Sequence, residues 1–273
     1  MFDARKNATL SAALLRFGEV VYHATVRSIR KSDGNAILGL LKSISQSLMM
    51  VVIFWLFMTL MGGRAMAIRG DYFIYMMTGI FMFMVQIKTI TAIAGADGPT
   101  APMMLHTPMN TLVSIVAEAL SALYIQILSA VVILGVYHLA FAPVEIDQPL
   151  AAFGMVLLAW YSGVGVGYVF LALRPWMPGV INMLKMVYIR MNMFASGKMV
   201  VANALPASML VLFTWNPLFH IIDQTRGFVF INYTPHHSNW EYAFWVATAL
   251  IGIGFILEGW VRQQMSVSWA GKA

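Results

Sequence analysis

Long uninterrupted apolar runs leave this sequence few ways to fold. The stretches 43–62, 72–92, 111–137, 150–173 and 241–261 each reach about the 20 residues that a helix needs to cross a hydrocarbon core of about 30 Å. A further run, 177–196, has the length of a span but carries Asn182, Lys185, Arg190 and Asn192. The chain is 60% hydrophobic and 10% charged, with a mean hydropathy of +0.76. A soluble domain holds about a quarter charged residues. The runs are continuous, whereas a membrane β-barrel shows short alternating segments. We therefore expect an all-α polytopic membrane protein with six transmembrane helices.

Charge orients it. Seven of the 17 Lys and Arg precede residue 43: Arg5, Lys6, Arg16, Arg27, Arg30, Lys31 and Lys42. By the positive-inside rule they place the N-terminus in the cytoplasm, and six spans return the C-terminus there. Arg64 and Arg69 in the first outer loop run mildly against that bias. The segment 1–42 reads as a cytoplasmic interface, with a basic amphipathic helix lying on the membrane and Asp33-Gly34-Asn35 as its turn signal. Residues 43–273 then form the membrane domain. No cleavable leader is expected, because the first strongly apolar run begins only after about 40 residues. The net charge of +6 is bunched at this flank, so nucleic acid is not the expected partner.

Much chemistry is excluded. There are no cysteines, hence no disulfide or thiolate site. No G-x-x-x-x-G-K-[ST] occurs; the nearest fragment, Ser196-Gly197-Lys198-Met199, lacks the upstream glycine and the hydroxyl. Any ATP would therefore be bound by another subunit. His236-His237 reads as a solvated pair rather than a metal site, and we expect no catalytic residues and no metal. A membrane-embedded transferase would want clustered carboxylates, but Glu118, Glu145, Asp147 and Glu241 are scattered. No matched pair of broken helices points to a secondary transporter.

Lys185 and Arg190 carry the sharpest signal, since a mid-bilayer cation costs about 2.5–3.5 kcal/mol on insertion scales. Either both snorkel to opposite interfaces, or Lys185, Asn192 and Ser196 form a polar stripe along a water-filled path with Arg190 on its shoulder. Between the last two runs, about 198–238, lies WNPLFHIIDQTRG. Asn216 suits an N-cap, Pro217 the first helical position and Gly227 a stop. That helix would be about 15 Å long, half a membrane. One face holds Leu218, Ile221, Ile222 and Thr225, the other His220, Asp223 and Gln224.

These features together resemble the membrane subunit of ABC exporters, and more closely the permeases that export capsular polysaccharide and O-antigen. The resemblance rests on the basic stretch through Val26-Arg27-Ser28-Ile29-Arg30, the six spans, and Trp215-Asn216-Pro217-Leu218-Phe219-His220 followed by Asp223 and Arg226. Thr107-Pro108 before the third span also fits. The inner loop is poorer in basic residues than the family pattern, and Glu118 stands near where a basic residue is common.

The resemblance implies short re-entrant helices before the last span, with Trp215, Asn216, Pro217, His220, Asp223 and Arg226 shaping the outer mouth. Asp223 and Arg226, at i and i+3, would pair. It implies a channel between two copies of the chain, lined by Trp55, Lys185, Tyr188, Arg190 and Asn192. Two nucleotide-binding ATPase subunits would dock at Arg27, Arg30, Lys31, Asp97 and His106. ATP and Mg would sit on those partners, with no cofactor on this chain, which would not itself be an enzyme. A polysaccharide would leave the bacterial inner membrane through a periplasmic or outer-membrane component. The close alternative is an ABC exporter of a small lipophilic molecule or lipid.

Overall fold

The computed structural model describes residues 10–33, 36–60, 70–98 and 111–270. Among the described residues the secondary structure is helical with no strand. The helices are α1 (Leu10–Asp33), α2 (Ala36–Leu60), α3 (Tyr72–Ala94), α4 (Thr111–Ala140), α5 (Pro149–Leu173), α6 (Pro178–Ala195), α7 (Ala207–Phe213), α8 (Pro217–Val229) and α9 (Trp240–Ala270). Four stretches are long and apolar enough to cross a membrane: Tyr72–Ala94, Thr111–Ala140, Pro149–Leu173 and Trp240–Val261. The protein is thus an all-α polytopic membrane protein, with four such spans among the described residues. Of the other two expected spans, α6 is diluted by two cations and two asparagines. In α2 the apolar stretch among described residues is Ile37–Ile53. The expected limit at residue 42 falls inside α2.

Helix α5 is the centre. It packs most extensively against α9 on one side and α3 on the other. Alternate glycines in SGVGVG make this possible. Gly163 and Gly167, one turn apart, face α3: a Cβ on Gly163 would lie 2.8 Å from the Gln86 carbonyl oxygen, and one on Gly167 3.0 Å from Ile93 Cβ. Gly165 turns the other way, where a Cβ would meet the Ala247 carbonyl oxygen at 2.8 Å. Lipid tails are as apolar as leucine, so association here relies on such close packing and on a few internal hydrogen bonds. Gln86 Nε2 donates to Ser162 Oγ at 3.0 Å, Trp160 Nε1 to the Ala119 carbonyl at 2.8 Å, and the Tyr168 hydroxyl to Glu258. Helix α3 is apolar all round, and 83% of its span is buried, as that composition requires.

Asp71 caps α3, accepting from Phe73 N at 2.8 Å and from the Tyr137 hydroxyl at 2.6 Å, with the Phe73 and Tyr137 rings stacked at 4.1 Å. At the opposite end Arg174 donates to the Ala94 and Ala96 carbonyls at 2.9 and 3.0 Å, closing the C-terminus of α3. Helix α1 lies against α4, where Ser28 Oγ donates to Glu118 Oε2 at 2.8 Å. Glu118 is therefore an anchor for α1.

Gly163→Ala should cost about 1–3 kcal/mol through backbone overpacking. Gly154→Ala, with nothing within 4 Å of its Cβ, should be neutral or stabilising by up to about 1 kcal/mol. Thermal unfolding of the two variants in detergent separates them.

Candidate functional site

The segment expected to be re-entrant is a helical hairpin of α7 and α8 joined by residues 214–216. Its open ends meet where Asn203 Nδ2 donates to the Thr234 carbonyl at 2.8 Å and His236 N donates to Asn203 Oδ1. Its tip, residues 214–216, is tied to the last turns of α6. Asn216 accepts from Leu218 N at 3.0 Å, which caps α8, while its Nδ2 donates to Asn192 Oδ1 at 2.7 Å and to the Ala195 carbonyl at 2.9 Å. One side chain thus starts one helix and holds the end of another. Helix α8 runs through Gly227 to Val229, so Gly227 is not the expected stop. It is small because Pro235 comes close: a Cβ there would lie 2.7 Å from Pro235 Cδ.

The polar face of α8 is turned into the protein. His220, Asp223 and Arg226 are all buried. The expected Asp223–Arg226 pair does not form. The Asp223 carboxylate accepts from the Tyr233 hydroxyl and from Ser238 Oγ at 2.7 Å, binding α8 to the strand of chain leading into α9. His220 contacts the Thr214 carbonyl at 2.8 Å through Nε2 and accepts from Asn239 N at 3.0 Å through Nδ1. Burial pushes its imidazole below the usual histidine range. Burial and donation to Asp223 together raise the Tyr233 phenol well above its ordinary value.

Arg226 holds the turn that follows α6. Its Nη1 donates to the Val200 carbonyl at 2.7 Å and to Gly197 at 3.4 Å, and its Nη2 to Lys198 at 2.5 Å. The guanidinium lies 4.3 Å from the Tyr75 ring centre. Gly197, at φ +65°, makes the left-handed turn that ends α6, the role glycine serves beyond a helix C-terminus. That explains the Ser196-Gly197-Lys198 fragment. Gly79 of α3 lets the turn sit down, since a Cβ there would be 2.5 Å from the Lys198 carbonyl oxygen. Lys198 is itself buried, its ammonium 3.3 Å from the Phe83 ring centre, and burial lowers its pKa to about 7.

The expected channel residues are divided. Asn192 is buried at the hairpin tip, Lys185 and Tyr188 are half-buried, and the Tyr188 ring stands 6.0 Å from Phe170 of α5. Arg190 lies on the exposed face. Helical geometry forces the split: at 3.6 residues per turn, 185, 188 and 192 share a side and 190 does not. Trp215 is exposed at the tip, and its carbonyl accepts from the Tyr242 hydroxyl at 2.9 Å. The buried clamp of Asn216, Asp223 and Arg226 is a fastening rather than the lining of a mouth. Of the expected coupling residues, Arg27 is exposed on α1 and Asp97 is half-buried beyond α3. The side chains of Trp55, Arg30 and Lys31, and all of His106 and Thr107-Pro108, lie outside the described residues. Sequence reasoning missed Gly79, Gly163, Gly167 and Arg174. The four-residue glycine spacing in α5 was the legible signal among them.

No protein-family model matches the chain, and no curated protein matches it. Fold and composition define a helical, polytopic membrane protein built around a clamped hairpin.

Arg226→Lys should destabilise the protein by several kcal/mol, because a single ammonium cannot reproduce the guanidinium fork and leaves buried carbonyls unpaired at about 1–3 kcal/mol each. Chemical denaturation in detergent reads this out. A second expectation concerns pH. The folded chain releases the Lys198 proton at about pH 7, whereas an unfolded lysine holds its proton to 10.5. The cost of burying this group is therefore fully present and constant below pH 7, and stability should rise from about pH 7 to 10.5 as that cost is relieved. Lys198→Met should flatten that rise in unfolding midpoints measured across the window.

Proposed function

We propose that this chain is the permease subunit of an ATP-driven exporter that moves a capsular or O-antigen-type polysaccharide across a bacterial inner membrane. The observation that carries the reading is the pairing of a clamped α7–α8 hairpin with a neighbouring helix, α6, left largely uncovered. Met183, Leu184, Met186, Met191 and Phe194 of α6 are exposed in the single chain, with Arg190 among them. A face that is both apolar and cationic fits one wall of a channel completed by a second copy. In this reading α2 and α6 are the first and fifth of six spans, and both termini are cytoplasmic. Helix α6, 18 residues and about 27 Å long, is long enough for a thin or locally adapted bilayer.

Two ATPase subunits carry ATP and Mg and dock against α1 and the loop between α3 and α4. Anchored to α4 through Ser28 and Glu118, α1 passes their closure to the spans. Arg27, Arg30, Lys31, Asp97 and His106 are the contacts assigned to that docking. Lys185, Tyr188 and Asn192 support the channel wall from behind, Arg190 meets acidic groups of the polymer, and Trp55 is assigned to the same channel. An export component beyond the inner membrane receives it.

One observation favours the second reading, an exporter of a small lipophilic molecule. An almost wholly apolar cavity of about 280 Å³ lies among α3, α4 and α5, with Val131 and Phe153 exposed at its edge. Co-expression with the ATP-binding subunit encoded beside this chain, in lipid discs, tests both. The first reading expects a copurifying complex whose ATPase responds to long polymer and is uncoupled by Arg27→Glu with Arg30→Glu. Stimulation by lipophilic compounds instead, abolished by Ala152→Phe in the cavity wall, would establish the second. Absence of any ATP-binding partner, with the charge reversals silent, would remove both.

A further inference from the structure

A second cavity, part polar and part apolar and unrelated to the hairpin, lies where α1 meets α2, α3 and α4. It has a volume of about 380 Å³, within the usual range for small-ligand sites. Two lysines from different helices reach it, Lys42 of α2 and Lys88 of α3, and among the described residues of its wall the acidic one is Glu118. Glu118 already accepts the Ser28 hydroxyl, and Lys88 Nζ donates to Gln46 Oε1 at 2.5 Å. By formal charge the described wall is net cationic by one, and it carries the hydroxyls of Ser43 and Ser121.

Gln126 is the sharper observation. It is 1% exposed, lines this cavity, and donates from Nε2 to Ser43 Oγ at 3.1 Å, but its Oε1 accepts no hydrogen bond. A buried amide end without a partner costs about 1–3 kcal/mol, so the site is incomplete without a donor. A hydroxyl supplies one, and can satisfy either end of an amide. The basic amphipathic α1 closes one side, and helices of that kind lie at the level of lipid headgroups. Basic pockets between membrane helices at that level hold anionic headgroups.

We propose that this cavity binds a phosphate ester bearing a free hydroxyl, with the phosphate against Lys42 and Lys88 and the hydroxyl directed to Gln126 and its serine neighbours. Phosphatidylglycerol presents that chemistry in a membrane, and glycerol 1-phosphate presents it in solution. A site bordered by four helices, including the one that carries the basic N-terminal charge, would fix α1 against the spans when occupied.

The full chain in discs of phosphatidylethanolamine with phosphatidylglycerol, and separately with phosphatidic acid, is released for native mass spectrometry. Phosphatidylglycerol should be retained over phosphatidylethanolamine. Lys42→Gln with Lys88→Gln should weaken retention about thirtyfold, roughly fivefold for each lysine. Gln126→Leu should erase the preference for phosphatidylglycerol over phosphatidic acid while leaving phosphatidic acid retention unchanged. Ser121→Ala, a smaller change, should reduce the same preference if the leucine variant does not fold. Glycerol 1-phosphate is titrated calorimetrically onto delipidated protein in parallel. Lysine-dependent binding there identifies a soluble ligand, and lysine-dependent retention of lipid alone identifies a headgroup. If neither probe depends on the lysines, the cavity holds water only and the proposal fails.

Discussion

A guanidinium buried among backbone carbonyls holds the least regular part of this protein in place. Every helix that stops inside a protein leaves carbonyls without amide partners, and α6 stops beside α3, where water is scarce. Taking a cation out of water costs several kcal/mol, and each charge-assisted hydrogen bond returns about 1.5–3. Arg226 breaks even only by engaging the carbonyls of 197, 198 and 200 together and lying over Tyr75. That arrangement needs a flat, multiply donating group and a missing side chain at Gly79. Everything else about the hairpin follows: with the turn after α6 immobilised, Asn216 can bridge to Asn192 and α8 can lie against α3 and α5.

What could be read from the sequence depended on the range of the interaction. Apolar runs mark α3, α4, α5 and the Trp240–Val261 span of α9 to within a few residues, because burial or lipid contact along a whole helix writes itself into composition. Local capping was equally legible, since Asn216-Pro217 starts α8 through a bond reaching only to Leu218. The reading failed where partners are distant in the chain. Asp223 and Arg226 have the spacing of a pair, but Tyr233 and Ser238 win the carboxylate and the turn after α6 wins the guanidinium. Amphipathicity told that α8 has a polar side without telling whether water or protein meets it. Gly227 was read as a stop, whereas its small size serves Pro235, and Gly197, the true terminator of α6, resembled a broken nucleotide loop.

The distribution of glycine divides the molecule mechanically. In α5, Gly163, Gly165 and Gly167 bring three helices into backbone contact, so α3, α5 and α9 form a trunk with little room to slide. Around it α1 is held to α4 through Ser28 and Glu118, and α6 touches the trunk only lightly along its length. An exporter built on this plan would move its rim against a fixed axis. The hairpin, clamped to both the trunk and the end of α6, is the joint through which that motion would be felt.

The partners of α8 also impose an order on how the chain is made. Tyr233, Ser238 and Asn239, which satisfy Asp223 and His220, are all synthesised after the helix they serve. While α9 is still in the ribosome, the Asp223 carboxylate and the Nδ1 of His220 therefore lack these partners, and only Nε2 of the imidazole has its own, the earlier Thr214 carbonyl. It cannot settle beside α3 at that stage without stranding those groups. The hairpin's polar face is therefore satisfied only once the segment leading into the last helix has joined it.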